Sequence, residues 1–209
     1  MITLFIDTST TTLTVALIKE GIVLEESTVS SSEHSKHTMP EIEKLFKNNN
    51  IEPKSVNKIM VTNGPGSFTG IRIGVTIAKT YAWACNINVV PISTLKAYAL
   101  SKSNYNYYVP MIDARRNSVY AGVYDKSYNE VIADTYISLV DLQEKVKDLD
   151  NICFISNDNI KNIDVENVKL DVKKIYDYYK DSDGVNPHSL MPNYLKKTEA
   201  EEKFGGIND

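Results

Sequence analysis

An α/β fold of two related lobes is what this sequence predicts, and three observations carry that prediction. A three-strand meander followed by a helix occurs twice, and each time its first strand ends in aspartate, "ITLFID" at Asp7 and "YYVPMID" at Asp113. Between the two meanders the segment "NGPGSFTGIRIG" (63–74) carries four of the chain's nine glycines and opens onto a helix. The composition, 42% hydrophobic and 24% charged, is that of a chain able to bury a core.

Each element follows from local pattern. The runs 2–7, 13–18 and 22–29 are strand-like, with a tight turn at Lys19–Gly21. From Ser35 to Lys47, Met39, Ile42, Leu45 and Phe46 share one helical face, which confines Pro40 to the first turn. Residues 58–62 read as a buried strand, 68–84 as a helix, "INVVPI" as a strand and Leu95 to Lys102 as a short helix. Near Asn104 the plan restarts with "SVYAGVY", a turn at Lys126–Ser127, "EVIADTYI", a helix at 139–148 and the strand "ICFIS". Each turn lies thirteen positions after its Asp, at 20 and at 126. The expected division is a first lobe at 1–104, a second at 105–198 and a flexible acidic tail at 199–209.

Composition also excludes. A net charge of −4 argues against a surface built wholly for nucleic acid. Cys85 and Cys153 are too few and too far apart for a disulfide framework or a zinc site. No leader or membrane-spanning run is read, so the chain reads as cytoplasmic. His34 and His37 lie three apart with only the distant His188 besides, which favours solvated histidines near a helix start over a metal site. The tyrosines from 105 to 136 alternate with polar residues as strands do, and do not require a base-stacking platform. Arg115 and Arg116 stand ready either for a phosphate or partner carboxylate, or for a local salt bridge with Asp113.

The glycine loop fits no familiar catalytic pattern. Gly64, Gly66, Ser67, Thr69 and Gly70 are followed by Ile71 and Arg72, without the Lys-Ser/Thr of a phosphate-binding loop. The glycine spacing is too wide for a dinucleotide fingerprint, and Phe68 sits where a nucleophile elbow needs serine. On a helical wheel Gly70, Gly74, Ala78 and Ala82 form a stripe of small side chains flanked by Ile73 and Ile77, with Arg72 and Trp83 on the polar arc. An apolar arc this broad points to a second packing partner. The expected interface is Met39, Ile42, Phe46, Arg72, Ile73, Gly74, Ile77, Ala78 and Trp83.

A strand ending in Asp, then small hydroxyl residues, then a hairpin, twice over, resembles the actin-like ATPase superfamily. That resemblance makes Asp7, Thr8, Ser9 and Asp113 the positions of its two phosphate-facing turns. The purely structural alternative is an Asp turn at each strand end. "TNGPGSFTGIRIG", with "IDTST", "MIDARRNSVYAGVY" and "MPNYLKK", is similar to the TsaB family over residues 1 to about 197. The resemblance implies a two-lobed actin-like fold with a reduced second lobe. It implies a non-catalytic role in placing threonylcarbamoyl on the adenosine next to the anticodon of ANN-decoding tRNAs. It further implies pairing with the metal-bearing paralogue TsaD, recruitment of the ATPase TsaE, and contact with tRNA only through the complex.

Departures from the superfamily support a partner over a catalyst. "DTSTTT" has no glycine for close approach to a phosphate, and "SNDN" (156–159) replaces the usual Gly-x-Gly turn of the second lobe. No metal and no cofactor of its own are expected, while a nucleotide at an interface with the partner stays compatible with the sequence. A homodimer is expected when the partner is absent. The alternatives are an ATP-hydrolysing or sugar-kinase-like enzyme of the same superfamily and, less favoured, a metalloprotease.

Overall fold

The computed structural model describes residues 1–30 and 33–196; the tail expectation for 199–209 lies outside the described residues. The first sheet contains β1 (Ile2–Asp7), β2 (Thr12–Lys19), β3 (Ile22–Ser30), β4 (Lys58–Gly64) and β5 (Val89–Ser93) in the order β3-β2-β1-β4-β5. The first meander is antiparallel, and β1, β4 and β5 run parallel. The second sheet holds β6 (Tyr107–Asp113), β7 (Ser118–Asp125), β8 (Glu130–Ser138) and β9 (Ile152–Ile155) in the order β8-β7-β6-β9. Its pairing repeats the same plan, two antiparallel contacts and one parallel, with four strands among the described residues. This is the two-lobed actin-like arrangement with the second lobe reduced.

The inner strands are buried on both faces, which is why "ITLFID" and "KIMVT" read as near-continuous apolar runs. Glu20 and Gly21, with φ of 51° and 81°, make the turn from β2 to β3. Helices α1 (His34–Asn48) and α2 (Phe68–Cys85) cover one face of the first sheet. Ile42, Leu45, Ile71, Val75 and Ala78 pack there on Leu4, Ile6 and Val61. Helix α3 (Thr94–Leu100) lies between the sheets and is buried at all seven positions. Its Ala97 and Leu100 face the first sheet, while Leu95, Tyr98 and Ala99 meet Tyr108, Ile112 and Tyr124 of the second. Helix α4 (Leu139–Val146) closes the outer face of the second sheet through Leu142 and Val146.

Two expectations are corrected. Helix α1 begins at His34, so Pro40 lies beyond the first turn. Both Pro40 and Lys36 are exposed, and the carbonyl that Pro40 leaves without a helical donor can be met by water. The chain also does not stay in the second lobe after β9. Helix α5 (Val172–Tyr179) places Val172, Ile175 and Tyr176 on the first sheet beside Phe5 and Met60. Val185 then bridges to Val89, and Leu190 enters the core under α2. The division near residue 104 thus separates the two sheets, while the segment from about 172 to 196 belongs by packing to the first lobe.

Candidate functional site

The loop from 8 to 11 follows Asp7 and the loop from 114 to 117 follows Asp113, one on each side of an interlobe cleft of 290 Å³. Ser9, Gly66, Ser67, Thr69, Gly70 and Ile73 line one wall, and Asp113, Tyr120 and Asp158 line the other. The expected phosphate-facing positions are therefore split. Ser9 and Asp113 border this cleft, whereas Thr8 is fully buried beneath it and Asp7 borders a separate cavity of 210 Å³.

Asp7 is only 2% exposed. One oxygen, Oδ1, accepts from the Ser9 amide at 3.1 Å and the Ser9 hydroxyl at 2.6 Å, and also from the Thr62 hydroxyl of β4. Burial pushes this carboxyl above the usual aspartate range, against the opposing pull of those hydrogen bonds. Across the cleft, Asp113 accepts from the Arg115 amide at 2.9 Å and pairs with the Arg115 guanidinium at 3.2 Å. Its own amide donates to Asp158 at 2.9 Å. The intervening Arg115, Arg116 and Asn117 all have positive φ, 65°, 55° and 56°, giving a tight left-handed turn.

The glycines of the loop exist for contact with the first aspartate turn. A Cβ on Gly66 would stand 2.1 Å from the Ser9 carbonyl oxygen, and one on Gly70 would stand 2.1 Å from that of Thr8. The Ser67 amide donates to the Ser9 carbonyl at 2.7 Å, and the Thr8 hydroxyl donates to the Gly70 carbonyl at 2.7 Å. Ser67 caps α2 by accepting from the Gly70 amide at 3.2 Å. On the other side of the loop, Gly64 has φ of +117° and lies against the Asn193 carbonyl, 2.6 Å from where a Cβ would be. The small stripe of α2 is therefore approached by the protein's own first turn and sheet.

That corrects the expected interface. Gly74 would place a Cβ 2.4 Å from the Thr8 hydroxyl, and Ala78 is fully buried in the core. Ile42 and Phe46 are likewise core residues, and Ile73 lines the cleft. Met39 and Trp83 are exposed at 48% and 64%, and Ile77 is half-buried. Met39 and Ile77 border an apolar trough between α1 and α2, formed by two adjoining cavities of 820 and 430 Å³ that share Met39, Pro53 and Tyr81. Arg72 instead faces the closing segment, donating to the Tyr194 hydroxyl at 2.8 Å.

The histidines also depart from expectation. His37 is half-buried, but His34 is 5% exposed, with Nε2 at 2.6 Å from the Thr10 carbonyl and Nδ1 without a hydrogen-bond partner. Helix α1 starts at His34, which tucks its ring under the first turn instead of into solvent. Among the described residues no three His, Cys, Asp or Glu side chains cluster as a metal site requires. No helix among them is long and apolar enough to cross a membrane.

Sequence reasoning missed the junction between the lobes. Tyr98 of α3 reaches between Thr10 and Asn157, and burial, then the charge of Asp7, pushes its hydroxyl up. Asp134 of β8 accepts from Ser93 and, at 2.5 Å, from Tyr124. Lys96, 6% exposed, donates to the Tyr128 carbonyl between the rings of Tyr124 and Tyr178. A lysine in a run of helix-forming residues carries no local sign of burial; only the pairing of lobes encloses it.

The geometry can be set beside known proteins. A family model for TsaD, tRNA N6-adenosine threonylcarbamoyltransferase, matches residues 14–175. The tRNA threonylcarbamoyladenosine biosynthesis protein TsaB of Bacillus subtilis is 33% identical, covering 98% of this chain and 98% of that one. The corresponding protein of Buchnera aphidicola (subspecies Acyrthosiphon pisum) is 27% identical over 91% of this chain and 89% of its own length. Among solved structures, an uncharacterized protein of Pseudomonas aeruginosa with similarity to peptidase YeaZ has a TM-score of 0.77 at 21% identity, covering 93% of this chain and 99% of that one. The shared fold and the full-length relatives give one conclusion: this chain belongs to the TsaB family.

Proposed function

We propose that the protein acts in tRNA threonylcarbamoyladenosine biosynthesis as a non-catalytic subunit that pairs with TsaD. On this reading the pair recruits the ATPase TsaE and works in the cytoplasm. The chain needs no cofactor of its own, and a nucleotide would sit, if anywhere, at the interface shared with the partner. The observation that carries the reading is the apolar trough between α1 and α2, open beside an exposed Met39 and a half-buried Ile77. An apolar surface rimmed by Glu43, Lys47 and Lys54 suits a partner helix, and its self-complementary use would give a homodimer in the partner's absence. The buried Asp7 supports the non-catalytic half, because it is 2% exposed and the donors on its Oδ1 come from the protein itself, Ser9 and Thr62.

Ile77→Glu puts a charge into the trough without touching the fully buried stripe. It should weaken pairing with TsaD by about thirtyfold or more while the melting temperature stays near wild type. Ala78→Glu, in contrast, forces a carboxylate into the core and should unfold the chain. Threonylcarbamoylation of an ANN-decoding tRNA by TsaD should require this chain and fail with Ile77→Glu. The enzyme alternative would prevail if the isolated protein bound ATP at micromolar affinity and lost a measured turnover in Asp7→Ala.

A further inference from the structure

Helix α2 and the closing segment 184–196 contain no aspartate or glutamate, although the chain as a whole carries 27 acidic residues against 23 basic ones. These two stretches lie side by side. Lys79 donates to the carbonyls of His188 and Leu190, and the Asn193 amide donates to the Asn63 carbonyl at 2.7 Å. At their far end they enclose a groove of 240 Å³, lined by Phe68, Arg72, Tyr120, Tyr194 and Lys196 with no carboxylate in its wall. Phe68 and Tyr194 stack at 5.1 Å and remain 45% and 42% exposed. The Arg72 guanidinium lies 3.9 Å over the Phe68 ring, and the Lys196 ammonium lies 4.8 Å from the ring of Tyr136. The described ion pairs include neither Arg72 nor Lys196. Tyr120 and Gly66 line both this groove and the interlobe cleft, so the two lie next to each other.

Exposed rings with cations at their faces, in a wall free of carboxylates, form the combination that holds single-stranded nucleic acid: rings stack bases and the cations meet phosphates. An apolar protein segment is better served by the trough between α1 and α2, where the exposed surface is aliphatic and aromatic. We propose that this groove is a direct RNA contact, taking an unstacked base against Tyr120 and Tyr194 with flanking phosphates on Arg72 and Lys196. The proposal rests on the reading that the chain works on tRNA, and it adds a contact made by this chain itself. It also revises the sequence expectation for Tyr120, which serves both as a strand residue and as a stacking ring.

The test is fluorescence anisotropy with a labelled anticodon stem-loop of an ANN-decoding tRNA, using the full chain alone and with TsaD. Arg72→Glu combined with Lys196→Glu should weaken binding at least about tenfold and flatten the log–log salt slope by about 1.4. Tyr120→Ala should weaken binding about tenfold, and Tyr120→Phe, which keeps the ring, should restore it. Thermal melting checks that each variant folds, and Lys196→Glu alone serves if the double variant does not. Wild-type chain that fails to bind the stem-loop at low salt, or variants that bind it like wild type, would overturn the proposal. So would variants that fold but no longer co-elute with TsaD, since the groove would then be a protein contact. Failure of wild type to co-elute with TsaD would count against the pairing reading alone, because RNA binding by the isolated chain is measured separately.

Discussion

Asp7 and Asp113 each end an inner strand, and four residues separate each from the next strand, yet their surroundings diverge. Asp7 is 2% exposed and gathers three donors on one oxygen, while the Asp113 side chain is 33% exposed and faces a guanidinium in solvent. The difference lies in the segment that leaves the neighbouring parallel strand. In the first lobe β4 leads into the glycine loop and α2, which close over the turn at backbone contact distance. In the second lobe β9 leads into an irregular segment that offers only Asp158 to the Asp113 amide. A strand-end aspartate becomes a structural bolt when a glycine loop shuts over it, and stays a surface group when none does.

The strongest way to break this comparison is to pry the loop off the first turn. Gly70→Ala sets a methyl against an immovable backbone carbonyl, so it should cost about 3 kcal/mol and lower the melting temperature by roughly 6–12 °C. Gly122→Ala meets side chains instead of backbone, the Asp134 carboxylate and the buried Tyr124 ring, and should cost less, about 2 kcal/mol. Equal melting temperatures for the two variants would remove the distinction. Next, Asp7→Ala strands the Ser9 amide and the hydroxyls of Ser9 and Thr62 in the core, a loss of about 2 kcal/mol by urea denaturation.

Titration sharpens the same point with a smaller effect. The folded pKa of Asp7 lies above its ordinary 3.8, so the folded state holds the proton more tightly than the unfolded one. The resulting stabilisation is complete below the unfolded value and is lost as pH rises through the folded pKa. Comparing Asp7→Asn with wild type should therefore show the variant gaining relative stability as pH climbs from 3.8; a flat difference would mean that hydrogen bonding cancels the burial cost. Smallest of all, Asp113→Ala should change stability by about 0.5 kcal/mol or less, since its ion pair with Arg115 is largely solvated.

Much of the fold is legible in the sequence. The two meanders, their turns and the helix after the glycine loop are local patterns whose period or turn chemistry survives folding. Helix α5 is only faintly legible: Val172, Ile175 and Tyr176 are spaced for one buried face in "VKKIYDYY", yet eight residues beside a charged stretch give a weak signal. The breadth of the apolar arc on α2 is also real. Its cause is mixed, because the arc meets the core at Ala78, the cleft at Ile73 and the trough at Ile77.

Residue order alone settles which side chains share a strand or a helix face, since those periods follow from backbone geometry. It also settles where a backbone needs glycine, as at the 64–70 loop. It does not settle which partner each face meets. That Gly74 and Ala78 serve Thr8 and the sheet, that His34 hides under the first turn, and that residues 188–196 return to α2 with Tyr120 waiting across the groove all depend on contacts distant along the chain. Such contacts are decided when two sheets and their helices close together, and no window of neighbouring residues contains them.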